Sequence, residues 1–114
     1  MAETNLEANV RRQQDKAIID LIGEIDAFAE GALNQAYQQA ERESSSTIVL
    51  NFDNVDYINS TGIALIVSLL AQARKNHRNL VVFGLSDHYV EIFEITRLSD
   101  FMTVYQDETA ALAA

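Results

Sequence analysis

The fold of this chain is decided by residues 47–70, TIVLNFDNVDYINSTGIALIVSLL. Residues 47–52 are almost continuously apolar, which is typical of a central strand that is covered on both faces. A loop is predicted over residues 53–59, followed by an apolar helix from about residue 61 to residue 77. Between the strand and the helix, residues 59–62 place a small amide, two adjacent hydroxyls and a glycine at a predicted helix start.

The remaining chain alternates between strand-like and helix-like segments. Residues 16–22 are rich in β-branched side chains and predict a strand that ends at Gly23. Because strands and helices alternate, we expect one α/β domain over residues 1–114, with helices against a largely parallel sheet. The other predicted segments are a loose or edge-strand region at 1–7, a weak apolar alternation at 6–10, a hairpin around 13–15, strands at 79–84 and 101–105, helices at 24–43, 86–98 and 107–114, and a polar loop at 44–46.

The predicted helix over residues 24–43 has one apolar face. Asp26 is a candidate N-cap or first-turn acid, because a carboxylate is favourable near the positive end of a helix. The apolar side chains recur at three- and four-residue spacing, which is the pattern of an amphipathic helix. They are Phe28, Ala29, Ala32, Leu33, Ala36, Tyr37 and Ala40.

Composition and charge exclude several classes of function. The chain has 114 residues, is 48% hydrophobic and contains no cysteine, so it can form a core but no disulfide or thiolate metal site. Its formal net charge of −9 argues against a broad phosphate-binding surface for nucleic acid. No signal peptide and no membrane-length apolar run are visible, so we expect a soluble cytoplasmic protein.

The basic residues are concentrated where the long apolar helix ends. Residues 61–85 contain Arg74, Lys75 and Arg78 and no acidic residue. Cations at this position stabilise the negative end of the helix dipole. A site for an anion is the alternative interpretation.

The sequence contains no catalytic constellation. His77 and His88 lie in different segments and lack the spacing of a metal-ligand pair, so we expect solvent-facing or capping histidines. The four glycines form neither a dinucleotide-binding nor a P-loop pattern. We therefore expect no enzyme activity, no metal and no cofactor.

Ser60 remains as the candidate functional residue. A hydroxyl at a helix start is usually a cap for a free backbone N–H group. Phosphorylation of Ser60 would instead add about −1.5 to −2 charges beside the positive end of the helix, where the fold tolerates them. Gly62, two residues further on, is predicted to let another molecule approach closely, so the added charge would act on a partner.

The residues around Ser60 resemble a known signature. Residues 55–64, VDYINSTGIA, are similar to the phosphorylation site of STAS domains, specifically of bacterial anti-sigma factor antagonists. Residues 21–26, LIGEID, resemble the second strand and acidic turn of the family, and residues 48–52, IVLNF, its central strand. Residues 85–86 and 92–96 resemble its third-helix region.

The resemblance implies a STAS fold of four or five strands in a mixed, mainly parallel sheet with helices on one side, and no catalytic activity. Unphosphorylated family members bind an anti-sigma factor, often itself a serine kinase, and thereby release a sigma factor. The kinase modifies the serine that precedes a second hydroxyl, which makes Ser60 the expected phosphorylation site and Thr61 the second choice. A PP2C-type phosphatase reverses the modification.

The same resemblance implies a partner-binding surface. We expect a monomer or weak dimer that contacts neither nucleic acid nor membrane. The expected partner-binding residues are Asp26, Asn59, Ser60, Thr61, Gly62 and Leu65.

Two positions depart from the family pattern. Asn59 stands where aspartate is common, which removes a carboxylate beside the phosphorylation site. Arg97 stands where glycine is frequent, at the end of the third helix. The alternative function is an unphosphorylated STAS scaffold or ligand-sensing domain, in which Ser60 is only a cap.

Overall fold

The structure, a computed structural model, describes residues 5–44 and 46–113. Its strands form one five-stranded sheet in the order β1-β2-β3-β4-β5, in which β1 and β2 are antiparallel and the other neighbours are parallel. The mixed, mainly parallel α/β sheet predicted from the sequence is confirmed. The elements are β1 (Leu6–Gln13), β2 (Lys16–Ile25), α1 (Glu30–Glu43), β3 (Thr47–Ile58), α2 (Ser60–Lys75), β4 (Asn79–Phe83), α3 (Asp87–Ile95), β5 (Val104–Tyr105) and α4 (Glu108–Ala113), with 3₁₀ turns at Ala27–Ala29 and Leu98–Asp100.

The predicted hairpin is confirmed, but the predicted end of β2 is wrong. Gln13 pairs with Lys16 across the turn, and Gln14 adopts a positive φ of 60°. Gly23 lies inside β2 with a φ of +112°, and a Cβ there would collide with the backbone oxygen of Asn5. Glycine therefore marks a close strand contact here and does not end the strand.

The predicted loop over residues 53–59 is also wrong, because β3 continues to Ile58. The polar segment pairs with the extended end of β2, with Gly23 opposite Val55 and Ile25 opposite Ile58. Its polar side chains are mostly exposed, which explains why composition alone indicated a loop. The consequence is that a hydrogen-bonded strand carries the chain directly to Asn59.

The helices cover the two faces of the sheet unequally. Helices α1, α2 and α3 pack on one face, over a core that includes Ile19, Leu50 and Val82. The opposite face carries a smaller cluster around Val49, on which Ala111 of α4 packs. The main helical layer is therefore on one side, as expected, and the short C-terminal helix covers part of the other side.

An ion-pair network fastens α4 to that second face. Arg11 Nε donates to Asp20 Oδ2 at 2.7 Å, and Arg11 Nη1 donates to Glu108 Oε2 at 3.0 Å. The hydrogen bond from Arg11 lowers the pKa of Glu108 below its ordinary value. Burial acts to raise the pKa of Asp20, but hydrogen bonds from Arg11 and Asn51 outweigh it, so that pKa is lowered too.

The other element boundaries differ in smaller ways. Residues 24–25 belong to β2 and not to the first helix, which is preceded by a 3₁₀ turn that Asp26 caps. Phe101 does not begin the last strand but follows the second 3₁₀ turn, and β5 has only two residues. The predictions for residues 1–4, Ser45 and Ala114 lie outside the described residues.

Arg97 shows how the third helix ends. The N-cap of α3 is Ser86, which is one of the two residues predicted for that role. The helix itself runs from Asp87 to Ile95. Arg97 then adopts φ 65° and ψ 16°, in the left-handed region that glycine populates without a Cβ penalty. Arg97 thus adopts the left-handed backbone conformation that glycine adopts most readily.

Candidate functional site

Asn59 is the N-cap of α2. Its backbone is extended, and its Oδ1 atom accepts a hydrogen bond from the Gly62 N–H at 2.8 Å. Its own backbone N–H donates to the Ile25 oxygen at 3.2 Å, which ties the helix start to the end of β2. The amide therefore satisfies one of the free N–H groups of the first turn, a function that the sequence had left open to a hydroxyl.

The Ser60 hydroxyl is consequently available. Ser60 is the first residue of α2, and its side chain is exposed. Within residues 5–44 and 46–113, neither the Ser60 hydroxyl nor the Thr61 hydroxyl has a hydrogen-bond partner. The first turn of α2 also contains no acidic residue, so its positive end is not neutralised by the helix itself.

Gly62 has an internal reason to lack a side chain. It is buried, and a Cβ at this position would collide with the backbone oxygen of Ile25 and lie 2.9 Å from the Cγ2 atom of Ile58. The close approach at this glycine is therefore made by the end of β2. The predicted approach of another molecule is not needed to explain it, and a partner-binding role for Gly62 stays a prediction.

Asp26 lies at the same edge of the sheet as Asn59. Asp26 follows Ile25, Asn59 follows Ile58, and these two isoleucines are paired across parallel strands. Asp26 Oδ1 accepts from the Phe28 N–H at 2.9 Å, so the carboxylate caps the 3₁₀ turn that precedes α1. The two predicted site segments are thus brought together, each held by its own cap.

Helix α3 also holds this edge in place. The Ile58 N–H, at the last residue of β3, donates to the Tyr89 hydroxyl oxygen at 2.9 Å. The residue before the Asn59 cap is therefore held by α3, and the cap itself by β2. Ser60 therefore follows two residues whose backbone N–H groups are both hydrogen-bonded, Ile58 to α3 and Asn59 to β2.

Leu65 is half-buried and packs against the core, so it is not the most accessible apolar residue of α2. The exposed face of the helix lies beside it and carries no charge before Arg74. Val67, which is 45% exposed, is the largest side chain on this face. The exposed uncharged residues of the α2 face are Ser60, Thr61, Ala64, Val67, Ser68 and Ala71.

Two exposed aromatic residues lie in the segments next to the two caps, and sequence reasoning missed both. Tyr57 lies near the end of β3 and is 50% exposed, and Phe28 lies in the 3₁₀ turn after β2 and is 58% exposed. Phe28 was predicted to be on the buried face of a helix, but its turn precedes α1 and directs it outward. The polar neighbours of Tyr57 were the available signal that this segment faces solvent.

The described residues contain no candidate metal site and no helix that could span a membrane. None of their His, Asp and Glu side chains group in threes that could hold a metal ion, and His77 and His88 are both exposed. In the same part of the chain, every helix is too short or too polar to cross a bilayer.

Comparisons with known proteins identify the family. The STAS domain model matches residues 7–111. An anti-sigma-B factor antagonist of Staphylococcus aureus is 31% identical over 100 residues, which covers 88% of this chain and 93% of that protein. The chain belongs to the STAS domain family of bacterial anti-sigma factor antagonists.

Solved structures agree on the fold. An anti-sigma factor antagonist from Mycobacterium paratuberculosis superposes with a TM-score of 0.81 at 19% identity, covering 95% of this chain and 92% of that one. The phosphorylated form of the Bacillus cell fate determinant SpoIIAA superposes with a TM-score of 0.69 at 19% identity, covering 92% of this chain and 96% of that one. The STAS fold expected from the resemblance is therefore confirmed.

Proposed function

We propose that this chain is an anti-sigma factor antagonist whose binding is switched by phosphorylation of Ser60. In the unphosphorylated state it binds an anti-sigma factor that is also a serine kinase, and a sigma factor is released. A PP2C-type phosphatase restores the binding state. The proposal assigns no catalytic step to the chain itself.

The observation that carries the proposal is that Asn59, and not Ser60, caps α2. The Asn59 amide caps the helix, while the exposed Ser60 hydroxyl takes no part in the cap. The name of the Staphylococcus aureus relative supports the partner class, and the phosphorylated form of SpoIIAA is a precedent for this modification on the same fold.

A phosphate on Ser60 would be tolerated by α2. It would add about −1.5 to −2 charges at neutral pH, next to the N–H groups and the positive dipole end of the helix. Asn59 is favourable here, because it supplies the acceptor geometry of an N-cap without a second negative charge beside the phosphate. The modification should therefore leave the fold intact.

The proposed partner surface combines the uncharged α2 face with two exposed aromatic residues, of which Tyr57 is close in sequence to the Asn59 cap and Phe28 to the Asp26 cap. Tyr57 and Phe28 are large, half or more exposed, and suited to act as anchors in a partner pocket. A phosphate beside this surface would have to be desolvated on binding, and it would repel acidic groups of the partner. Binding is then lost although neither protein changes its fold.

The direct test is phosphorylation by the anti-sigma factor kinase that is encoded in the same genome as this chain. Wild-type protein should incorporate one phosphate, Ser60→Ala none, and Thr61→Ala should remain a substrate. Tandem mass spectrometry of the peptide spanning Ser60 locates the modified hydroxyl. Equal phosphorylation of Ser60→Ala would refute the site, and an unmodified wild type with normal partner binding would support the scaffold alternative.

A further inference from the structure

A second site is suggested at the opposite end of α2. A cavity of about 300 Å³ lies between the end of this helix and the start of β4. Arg74 is fourteen residues from Ser60, or about 21 Å along the helix axis at 1.5 Å per residue. The cavity is therefore separate from the candidate switch site.

The cavity holds two positive charges without a matching negative one. Arg74 and Arg78 both line it, and no Asp or Glu is among the described residues of its wall. Across the part of the chain that the structure describes, neither guanidinium forms an ion pair. In a chain with a formal net charge of −9, an acid-free pocket with two arginines is an unusual concentration of positive charge.

Arg78 is incompletely satisfied. Its Nη1 atom donates to the Asn76 oxygen at 3.0 Å and its Nη2 atom to the Glu41 oxygen at 3.2 Å. The Nε atom is buried and has no hydrogen-bond partner among the described residues. The Glu41 carboxylate accepts hydrogen bonds from Tyr37 and Asn76, and among the described residues it forms no ion pair with this guanidinium.

The rest of the wall suits a ligand with an apolar body. The Arg74 guanidinium carbon lies 5.4 Å from the centre of the Phe101 ring, which orients that cation over an exposed aromatic surface. Phe101 is the exposed apolar residue of the wall, Leu70 and Leu80 line it as buried side chains, and Thr103 adds a hydroxyl. Arginine favours phosphate through its planar fork of N–H donors.

We propose that this cavity binds a small phosphate monoester, with the phosphate between Arg74 and Arg78 and an apolar group against the exposed Phe101 ring. The cation cluster at the end of α2 thus has a binding role in addition to its favourable interaction with the helix dipole. The inference is independent of Ser60 phosphorylation, because it rests on residues at the other end of the helix.

Titration of the ¹⁵N-labelled full chain with phenyl phosphate tests the proposal by nuclear magnetic resonance. We expect saturable shifts of the Leu80 and Val81 amides and of the Arg78 Nε–H signal, with inorganic phosphate shifting the same signals at higher concentration. Arg74→Gln should raise the dissociation constant at least fivefold. Lys75→Gln, which removes the same charge from a neighbouring residue outside the cavity wall, should change it less than twofold.

Three results would overturn the proposal. Shifts that do not saturate, or that map away from the cavity, would exclude a site there. Equal weakening by Arg74→Gln and Lys75→Gln would indicate only long-range attraction. Phenol binding with the same dissociation constant as phenyl phosphate would show an apolar pocket in which the phosphate is not recognised.

Discussion

The Asn59 side chain accepts the Gly62 N–H at 2.8 Å and thereby caps α2 in place of either neighbouring hydroxyl. This hydrogen bond separates two roles that the sequence placed side by side. Asn59 stabilises the helix start, and Ser60 is left exposed on its first turn. The two residues should therefore respond differently to substitution.

Asn59→Ala should lower the free energy of unfolding by about 1 kcal/mol, the usual cost of removing an N-cap side chain. Ser60→Ala should change it by less than about 0.5 kcal/mol, because the hydroxyl has no partner among the described residues. Urea unfolding of both variants measures the difference. A larger loss from Ser60→Ala than from Asn59→Ala would show that the serine is the cap.

Gly62→Ala should be destabilising, by about 1–3 kcal/mol, because the new Cβ collides with the Ile25 oxygen, which cannot move without disturbing β2. Gly31→Ala is the matched control. Gly31 lies in α1, and an added Cβ would meet nothing within 4 Å apart from its own chain neighbours and helix backbone, so the same change should stabilise by up to about 1 kcal/mol. Thermal and urea unfolding would contradict this account if both alanines had the same effect.

The attachment of α4 should weaken in acid. The folded pKa values of Asp20 and Glu108 lie below their ordinary values, so their contribution is present above the unfolded pKa of about 4 and is lost as pH falls through the folded values. We expect wild type to lose more stability between about pH 5 and pH 2 than Glu108→Gln does.

Glu94→Gln controls for the removal of one negative charge, because Glu94 is exposed and forms no ion pair within the described residues. Urea unfolding at several pH values gives the free energy of unfolding as a function of pH for all three proteins. The ion-pair explanation fails if Glu108→Gln and Glu94→Gln have the same pH dependence as wild type.

Phe28→Ala should weaken binding to the anti-sigma factor kinase by at least tenfold, because a central aromatic anchor typically contributes 2 kcal/mol or more. Phe101→Ala is a matched control, since both rings are 58% exposed and Phe101 lies beside Arg74, away from Ser60. Isothermal titration calorimetry measures both. Equal loss of affinity in the two variants would place the interface elsewhere.

Element order and helix–strand identity were predictable from local patterns, because apolar periodicity is set by which face of each element is buried. The extension of β3 to Ile58 was not predictable from local patterns, because it depends on pairing with β2, which is distant in sequence. The outward position of Phe28 depends on a 3₁₀ turn that shares its composition with a helix start.

The candidate site was predictable in place but not in detail. The resemblance predicts Ser60 as the phosphorylation site, whereas choosing Asn59 over two hydroxyls as the cap required the hydrogen bond to Gly62. Likewise, the sequence predicts a close approach of a partner at Gly62, and only the position of the Ile25 backbone oxygen shows that the close contact is internal.

The most direct test of the central claim compares the affinity of unphosphorylated and homogeneously Ser60-phosphorylated protein for the anti-sigma factor kinase. Genetic incorporation of phosphoserine provides the second form, and circular dichroism checks that the fold is retained. The account predicts at least a hundredfold weaker binding of the phosphorylated protein with an unchanged spectrum. Dissociation constants within threefold of each other would contradict it.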